Sequence, residues 1–231
     1  MNRREELRQN LQRVREVIAR EAQRAGRDPR GITLLPVTKF HPASDVALLA
    51  ELGVREVGEN REQEARAKAE ELPRVQFHMI GQVQTKKANS VARWAASVHS
   101  VDSLKLVAAL DRGAGRAVER GERESPLACF VQWSADGDAR RGGATEVAPL
   151  LNALVAAPHL LLAGIMCVPP VGSEAAEVFS RAHRLRREEE ERLGRRLLLS
   201  AGMSGDMGEA IAAGTDIVRV GTGIMGARPL A

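Results

Sequence analysis

The sequence predicts an α/β fold: one (β/α)8 TIM barrel, a single domain over residues 1–231 with an extra N-terminal helix. Three observations predict it. Eight short apolar runs alternate with helical stretches along the 231 residues. The runs are apolar on both faces, the pattern of parallel strands covered by helices. No linker or change of composition divides the chain, whose length suits one domain of about 100–250 residues. Eight strand-then-helix units are the number that closes such a barrel, whereas doubly wound open sheets have roughly five to seven strands.

The elements follow in order. Leu7, Leu11, Val14, Val17 and Ile18 share one face of a helix over about 3–25, which Arg27-Asp28-Pro29 ends. ITLLPV (32–37) is the first strand, followed by a helix over 43–52. REVGEN (55–60) leads into a charged helix over 62–72, and VQFHMI (75–80) into one over 84–94. ASVHSVD (96–102) precedes a helix from 104 to about 118. PLACFVQW (126–133) precedes one over 146–156, and HLLLAGIM (159–166) a long one over 174–193. RLLLS (196–200) precedes a helix over 205–213. DIVRV (216–220) is the last strand, with the turn GIMGA behind it.

Composition narrows the function. Tyr is absent and aromatics are 3%, which removes a phenolic acid or base and leaves few platforms for stacking nucleobases. The 34 Lys+Arg face 30 Asp+Glu, a net charge of only +4, and the acids are interspersed with the bases. The run 184–196 (RLRREEEERLGRR) therefore reads as a solvated helix face, and no clustered basic face marks a nucleic-acid partner. Cys129 and Cys167 sit in apolar runs as buried thiols, and no Cys/His spacing suggests a metal. The longest apolar stretch, 160–171, is short of the roughly 20 residues of a membrane helix. The charged start MNRREELRQN has no signal-peptide core, so a cytoplasmic protein is expected, and the charged helical surfaces suit a monomer.

Barrel active sites lie at the C-terminal ends of the strands. That rim carries Lys39, Asn60, Ser200, Gly221 and Thr222, with Arg219 one residue inside it and His78 within the third strand. Only five lysines exist, and Lys39 is the one that closes a strand. A lysine at a barrel mouth loses hydration, which exposes a nucleophilic amine suited to an aldehyde or ketose. GTGIMG (221–226) matches a dinucleotide pattern, but five residues remain after it, too few for a βαβ unit. What survives is a glycine-rich turn that suits a phosphate, with the Ser200 hydroxyl beside it. Arg219 faces either outward between helices or inward toward a planar group between Lys39 and the phosphate.

LLPVTKFHP (34–42), VGEN (57–60), FHMIGQVQTKK (77–87), HSVDS (99–103), AGIMCVPP (163–170) and LSAGMSGDM…AIAAGTDIVRVGTGIMGAR (199–228) together resemble the pyridoxal phosphate homeostasis proteins of the YggS/PROSC type. The resemblance runs from about Asn10 to Arg228. It implies a fold-type III barrel akin to the N-terminal domain of alanine racemase, with pyridoxal 5′-phosphate (PLP) held as a Schiff base on Lys39. It implies phosphate ligands at Ser200, Gly221 and Thr222, an arginine near the pyridine nitrogen at Arg219, and pocket lining by Asn60; His78 is taken as a further cofactor-binding residue. Arg61 stands where the family has an aromatic, Lys86 where it has Asn, and ARRGG (139–143) where it often has K-x-G. Lys87 and the Arg140-Arg141 pair are candidates for a second phosphate-attracting patch.

The function implied is PLP homeostasis: a non-catalytic carrier that buffers the cofactor or passes it to apo-enzymes. A cation beside the pyridine nitrogen keeps that nitrogen unprotonated and weakens the ring as an electron sink. The rival reading is a PLP-dependent racemase or lyase. Racemisation on this barrel uses a tyrosine as second base, and the chain has none. A third reading is an aldolase-type barrel acting on a sugar phosphate through Lys39.

Overall fold

In the computed structural model, which describes residues 2–227, all eight apolar runs form strands of one parallel sheet. These are β1 (Thr33–Pro36), β2 (Glu56–Glu59), β3 (Gln76–Met79), β4 (Ala95–Val101), β5 (Leu127–Trp133), β6 (Leu160–Cys167), β7 (Leu198–Ser200) and β8 (Ile217–Val220). The order β1-β8-β7-β6-β5-β4-β3-β2 brings the first two strands to the open seam. A single parallel bridge, Val37 to Gly58, joins them there, and Thr38 N donates to Gly58 O at 3.0 Å. The sheet is a nearly closed barrel.

The helices are α1 (Arg3–Arg24), α2 (Ala43–Glu51), α3 (Glu62–Glu71), α4 (Ala88–Trp94), α5 (Leu104–Glu119), α6 (Ala148–Ala156), α7 (Ala175–Leu193), α8 (Met207–Ala212) and α9 (Thr222–Met225). Their ends lie where local chemistry puts them. Asn2 Oδ1 accepts from Glu5 N at 2.9 Å and opens α1, and Ser103 Oγ accepts from Leu106 N to open α5. The stretch expected as one helix over 84–94 instead starts with a 3-10 turn at Thr85–Lys87. The turn GIMGA is likewise one turn of helix, α9.

Two apolar clusters fill the space between sheet and helices. The larger packs β3 to β7 against α4, α5, α6 and α7. The smaller is built around α1, whose Leu7, Leu11, Val14, Ile18 and Ala22 are buried against α2, α8 and α9. The additional N-terminal helix therefore closes the barrel wall on the side that carries α9. It also holds α9 by polar bonds: Asn10 Nδ2 donates to Ile224 O at 2.8 Å, and Arg3 NH2 to Met225 O at 2.9 Å. Those carbonyls have no partner within so short a helix. Arg3 reaches Asp45 Oδ2 of α2 at 2.6 Å as well, tying the helices that follow β8 and β1 together. Arg228, the last residue of the final motif, lies outside the described residues.

Candidate functional site

The β1 exit is locked by a buried ionic network. Lys68, on α3 and 5% exposed, donates from Nζ to Glu59 Oε1 at 2.6 Å, Glu64 Oε1 at 2.7 Å and Thr38 O at 2.9 Å. Thr38 Oγ1 also donates to Glu59 Oε1 at 2.6 Å, and Phe40 N to Glu64 Oε1 at 2.7 Å. Both chain neighbours of Lys39 are thus fixed, and Phe40 is held at φ 68°, a left-handed conformation costly for a bulky residue. Burial pushes the Glu59 carboxyl above its ordinary range, with Lys68 and Thr38 pulling it back down. The sequence marks 62–72 only as a charged helix; the i, i+4 spacing of Glu64 and Lys68 is the one signal of this network along the chain.

β2 and β3 leave the barrel in contact. Ile80 N donates to Glu59 O at 2.9 Å, and a Cβ on Gly81 would lie 2.2 Å from Asn60 O. Only glycine permits that approach, which sets Asn60 at the rim. On the opposite side β7 runs into a loop where Arg219 N donates to Gly202 O at 2.9 Å. Gly202 has φ 93°, and a Cβ there would meet Ala210 Cβ at 2.5 Å. This turn carries Met203, Ser204 and Gly205 back over the barrel.

The result is a cavity of about 470 Å³ at the C-terminal mouth, lined by Lys39, Asn60, Arg219, Gly221 and Thr222, with Ser204 and Gly205 completing its edge. That volume falls within the usual range for small-molecule sites, about 300–1,000 Å³. Arg219 is 4% exposed and points inward, donating to Ser200 Oγ at 2.7 Å and Cys167 O at 2.9 Å. Burial lowers the pKa of its guanidinium, and among the described residues no carboxylate lies within ion-pair distance. A buried cation without a counter-charge is costly unless an anion joins it.

Two of the seven expected site residues do not line the mouth cavity. Ser200 is not among the residues lining the mouth cavity: its Oγ is taken by Arg219 and by His99 Nδ1 at 3.0 Å. His78 lines a different cavity at the N-terminal end of the barrel, because alternation along β3 turns Ile80, two residues on, into the mouth. Ser204 was passed over in the sequence although it lies in the quoted SAGMSGDM block. The proposed second patch is compensated locally. Lys87 Nζ sits 3.2 Å from Glu62 Oε2, Arg140 pairs with Asp138 at 2.8 Å, and Arg141 with Asp136 at 3.3 Å. Cys129 and Cys167 are free, buried, and each pushed up to about 12 by burial. No described helix is long and apolar enough to cross a membrane.

The family profile of the alanine racemase N-terminal domain matches residues 4–229. The pyridoxal phosphate homeostasis protein of Corynebacterium glutamicum is 56% identical over 207 residues, 88% of this chain and 94% of that protein. The chain belongs to the pyridoxal phosphate homeostasis protein family. Among solved structures of comparable size, PipY of Synechococcus elongatus PCC7942, determined with PLP bound, is 33% identical with a TM-score of 0.76, covering 90% of this chain and 99% of PipY. A protein from Bifidobacterium adolescentis is 30% identical with a TM-score of 0.85, covering 97% of both chains.

Proposed function

We propose that this member of the family binds PLP in the mouth cavity and serves to buffer the cofactor or deliver it to apo-enzymes, without turnover of its own. The observation that carries the reading is the meeting, in one cavity, of the rim lysine Lys39 with the buried, carboxylate-free Arg219 and the glycine and hydroxyl edge of Ser204, Gly205, Gly221 and Thr222. This set fits an anionic aldehyde with a planar ring. With PLP bound there, the site would hold an electrophilic aldehyde beside the rim amine of Lys39.

In this reading Lys39 provides the amine, and the Glu59–Lys68–Glu64 network keeps its loop in place. Gly221, Thr222, Ser204 and Gly205 would hold the phosphate. Asn60 would line the ring, and Arg219 would stand toward the pyridine nitrogen. Ser200 acts one step removed by holding Arg219. An unprotonated pyridine and a chain without tyrosine leave neither a strong electron sink nor the second base of racemisation.

The test is an absorption spectrum of the purified protein with and without added PLP, then borohydride reduction and peptide mass mapping. A visible band that bleaches, with the pyridoxyl mass on the Lys39 peptide, is the expected outcome. A protein that stays colourless in excess PLP overturns the reading. Steady turnover of any amino acid overturns the non-catalytic part of it.

A further inference from the structure

The N-terminal ends of barrel strands are ordinarily plugged by bulky aliphatic side chains. Here Ala96, Ala128 and Ala163, on β4, β5 and β6, leave a cavity of about 330 Å³. Its inner wall is aromatic: the His99 and Phe130 rings lie 4.1 Å apart at 33°, and His78 meets His99 edge-on at 5.9 Å. His78 Nδ1 is 2.7 Å from Ser97 Oγ, but its Nε2 is buried and has no hydrogen-bond partner among the described residues. The nearest carboxylate, Glu56 Oε2, is 3.9 Å away, too far for a hydrogen bond.

His78 Nε2 thus stands at the wall of a ring-lined cavity without a protein hydrogen-bond partner among the described residues, a position that a ligand's polar atom can take up. The Ser97 hydroxyl can donate to Nδ1 or accept from it, so Nε2 is either a donor or an acceptor. A ligand with both functions on one ring satisfies either state. The opening sets the charge. Glu56 and Asp216 face one guanidinium, Arg196, which sits 2.9 Å from Asp216, so the carboxylates exceed the cation by one. Phosphate esters and carboxylates are disfavoured there, the reverse of the mouth cavity. Burial holds His78 near a pKa of about 4, so it brings no positive charge at neutral pH.

We infer that this cavity is a second binding site, for a small uncharged heteroaromatic ring that both donates and accepts a hydrogen bond. It stands apart from the mouth cavity and does not depend on the PLP reading. The two share only the chain of hydrogen bonds from His99 through Ser200 to Arg219.

Benzimidazole is the probe, titrated into the full-length protein by calorimetry and by amide correlation spectra, with indene as the isostere without nitrogens and benzoate as the anion. The expected result is saturable 1:1 binding with Kd on the order of 0.1–1 mM. Indene and benzoate should each bind at least about tenfold more weakly, and saturating PLP should leave the stoichiometry unchanged. Ala128→Leu and Ala163→Leu, which fill the cavity, should each weaken benzimidazole at least about tenfold. If neither variant folds, the wild-type spectra decide. Shifts centred on Ala96–His99 and Ala128–Phe130 support the site, and shifts centred on Lys39, Asn60 and Gly221 overturn it. Absence of saturable binding up to about 10 mM, displacement by PLP, or equal affinity for indene also overturns it.

Discussion

Replacing Lys68 with Met tests the most consequential packing decision in this barrel. The substitution keeps most of the side-chain volume and removes the ammonium that bonds Glu59, Glu64 and the Thr38 carbonyl at 2.6–2.9 Å. Glu59 is fully buried and its Oε2 has no hydrogen-bond partner among the described residues, so the variant leaves a carboxylate inside the protein that keeps the Thr38 hydroxyl and loses its ammonium. Breaking a buried pair in this way costs about 3–5 kcal/mol, because the remaining charge keeps its desolvation penalty and loses its attraction. For a chain of this size that is a fall in Tm of roughly 6–20 °C. The pH dependence has a definite sign. Glu59 titrates above its unfolded value of 4.5 already, and without Lys68 it titrates higher still. A carboxyl raised in the folded state contributes its stability below the unfolded pKa and loses it as pH rises through the folded one. The deficit of Lys68→Met relative to wild type therefore shrinks on acidification from pH 7.5 toward 5. Urea denaturation followed by circular dichroism across that range measures it. Adding Glu59→Gln to Lys68→Met should restore part of the loss, since no charge is then stranded. A deficit below about 1 kcal/mol at pH 7.5, or one that does not fall with acid, refutes the reasoning.

Three further outcomes follow from the same structure. Arg219→Met removes a buried cation that has no close carboxylate, so the PLP-free protein should keep its urea midpoint while PLP affinity, followed by fluorescence titration, falls at least about tenfold. His78 is lowered from 6.5 to about 4 by burial, so the unfolded chain takes up its proton first and stability is lost as pH drops from 6.5 toward 4. His78→Gln should remove about one proton from the stability-versus-pH slope near pH 5.5, a change worth about 3 kcal/mol across the window and read from urea midpoints. Gly81→Ala places a Cβ 2.2 Å from Asn60 O, so the β2 exit must shift; a loss of PLP affinity larger than the loss of Tm would imply, compared by titration and melting, is the expected result.

Much of this protein was legible along the chain. The doubly apolar runs dictated buried parallel strands, because a strand covered on both faces has no polar side to show water. Their count dictated a barrel, and the strand order from β1 round to β2 follows from short right-handed crossovers that place each strand beside its predecessor. Lys39, Asn60, Gly221 and Thr222 were legible because strand ends place rim residues without reference to anything distant. What the chain could not display was direction and partnership. Whether Arg219 turned inward depended on Ser200 and Cys167, 19 and 52 residues away, offering it acceptors. That Ser200 would place its hydroxyl between that guanidinium and His99 was likewise not visible along the chain. Lys68 is one charge among many in its helix until α3 folds over the β1 exit and strips it of water. His78 sat in a quoted motif, yet its depth in the barrel, and hence which cavity it lines, depended on the stagger of eight strands. Periodicity and composition are properties of neighbours in sequence, so they settle elements and their faces; a buried charge is settled by whichever distant groups close around it, and that is decided only when the barrel closes.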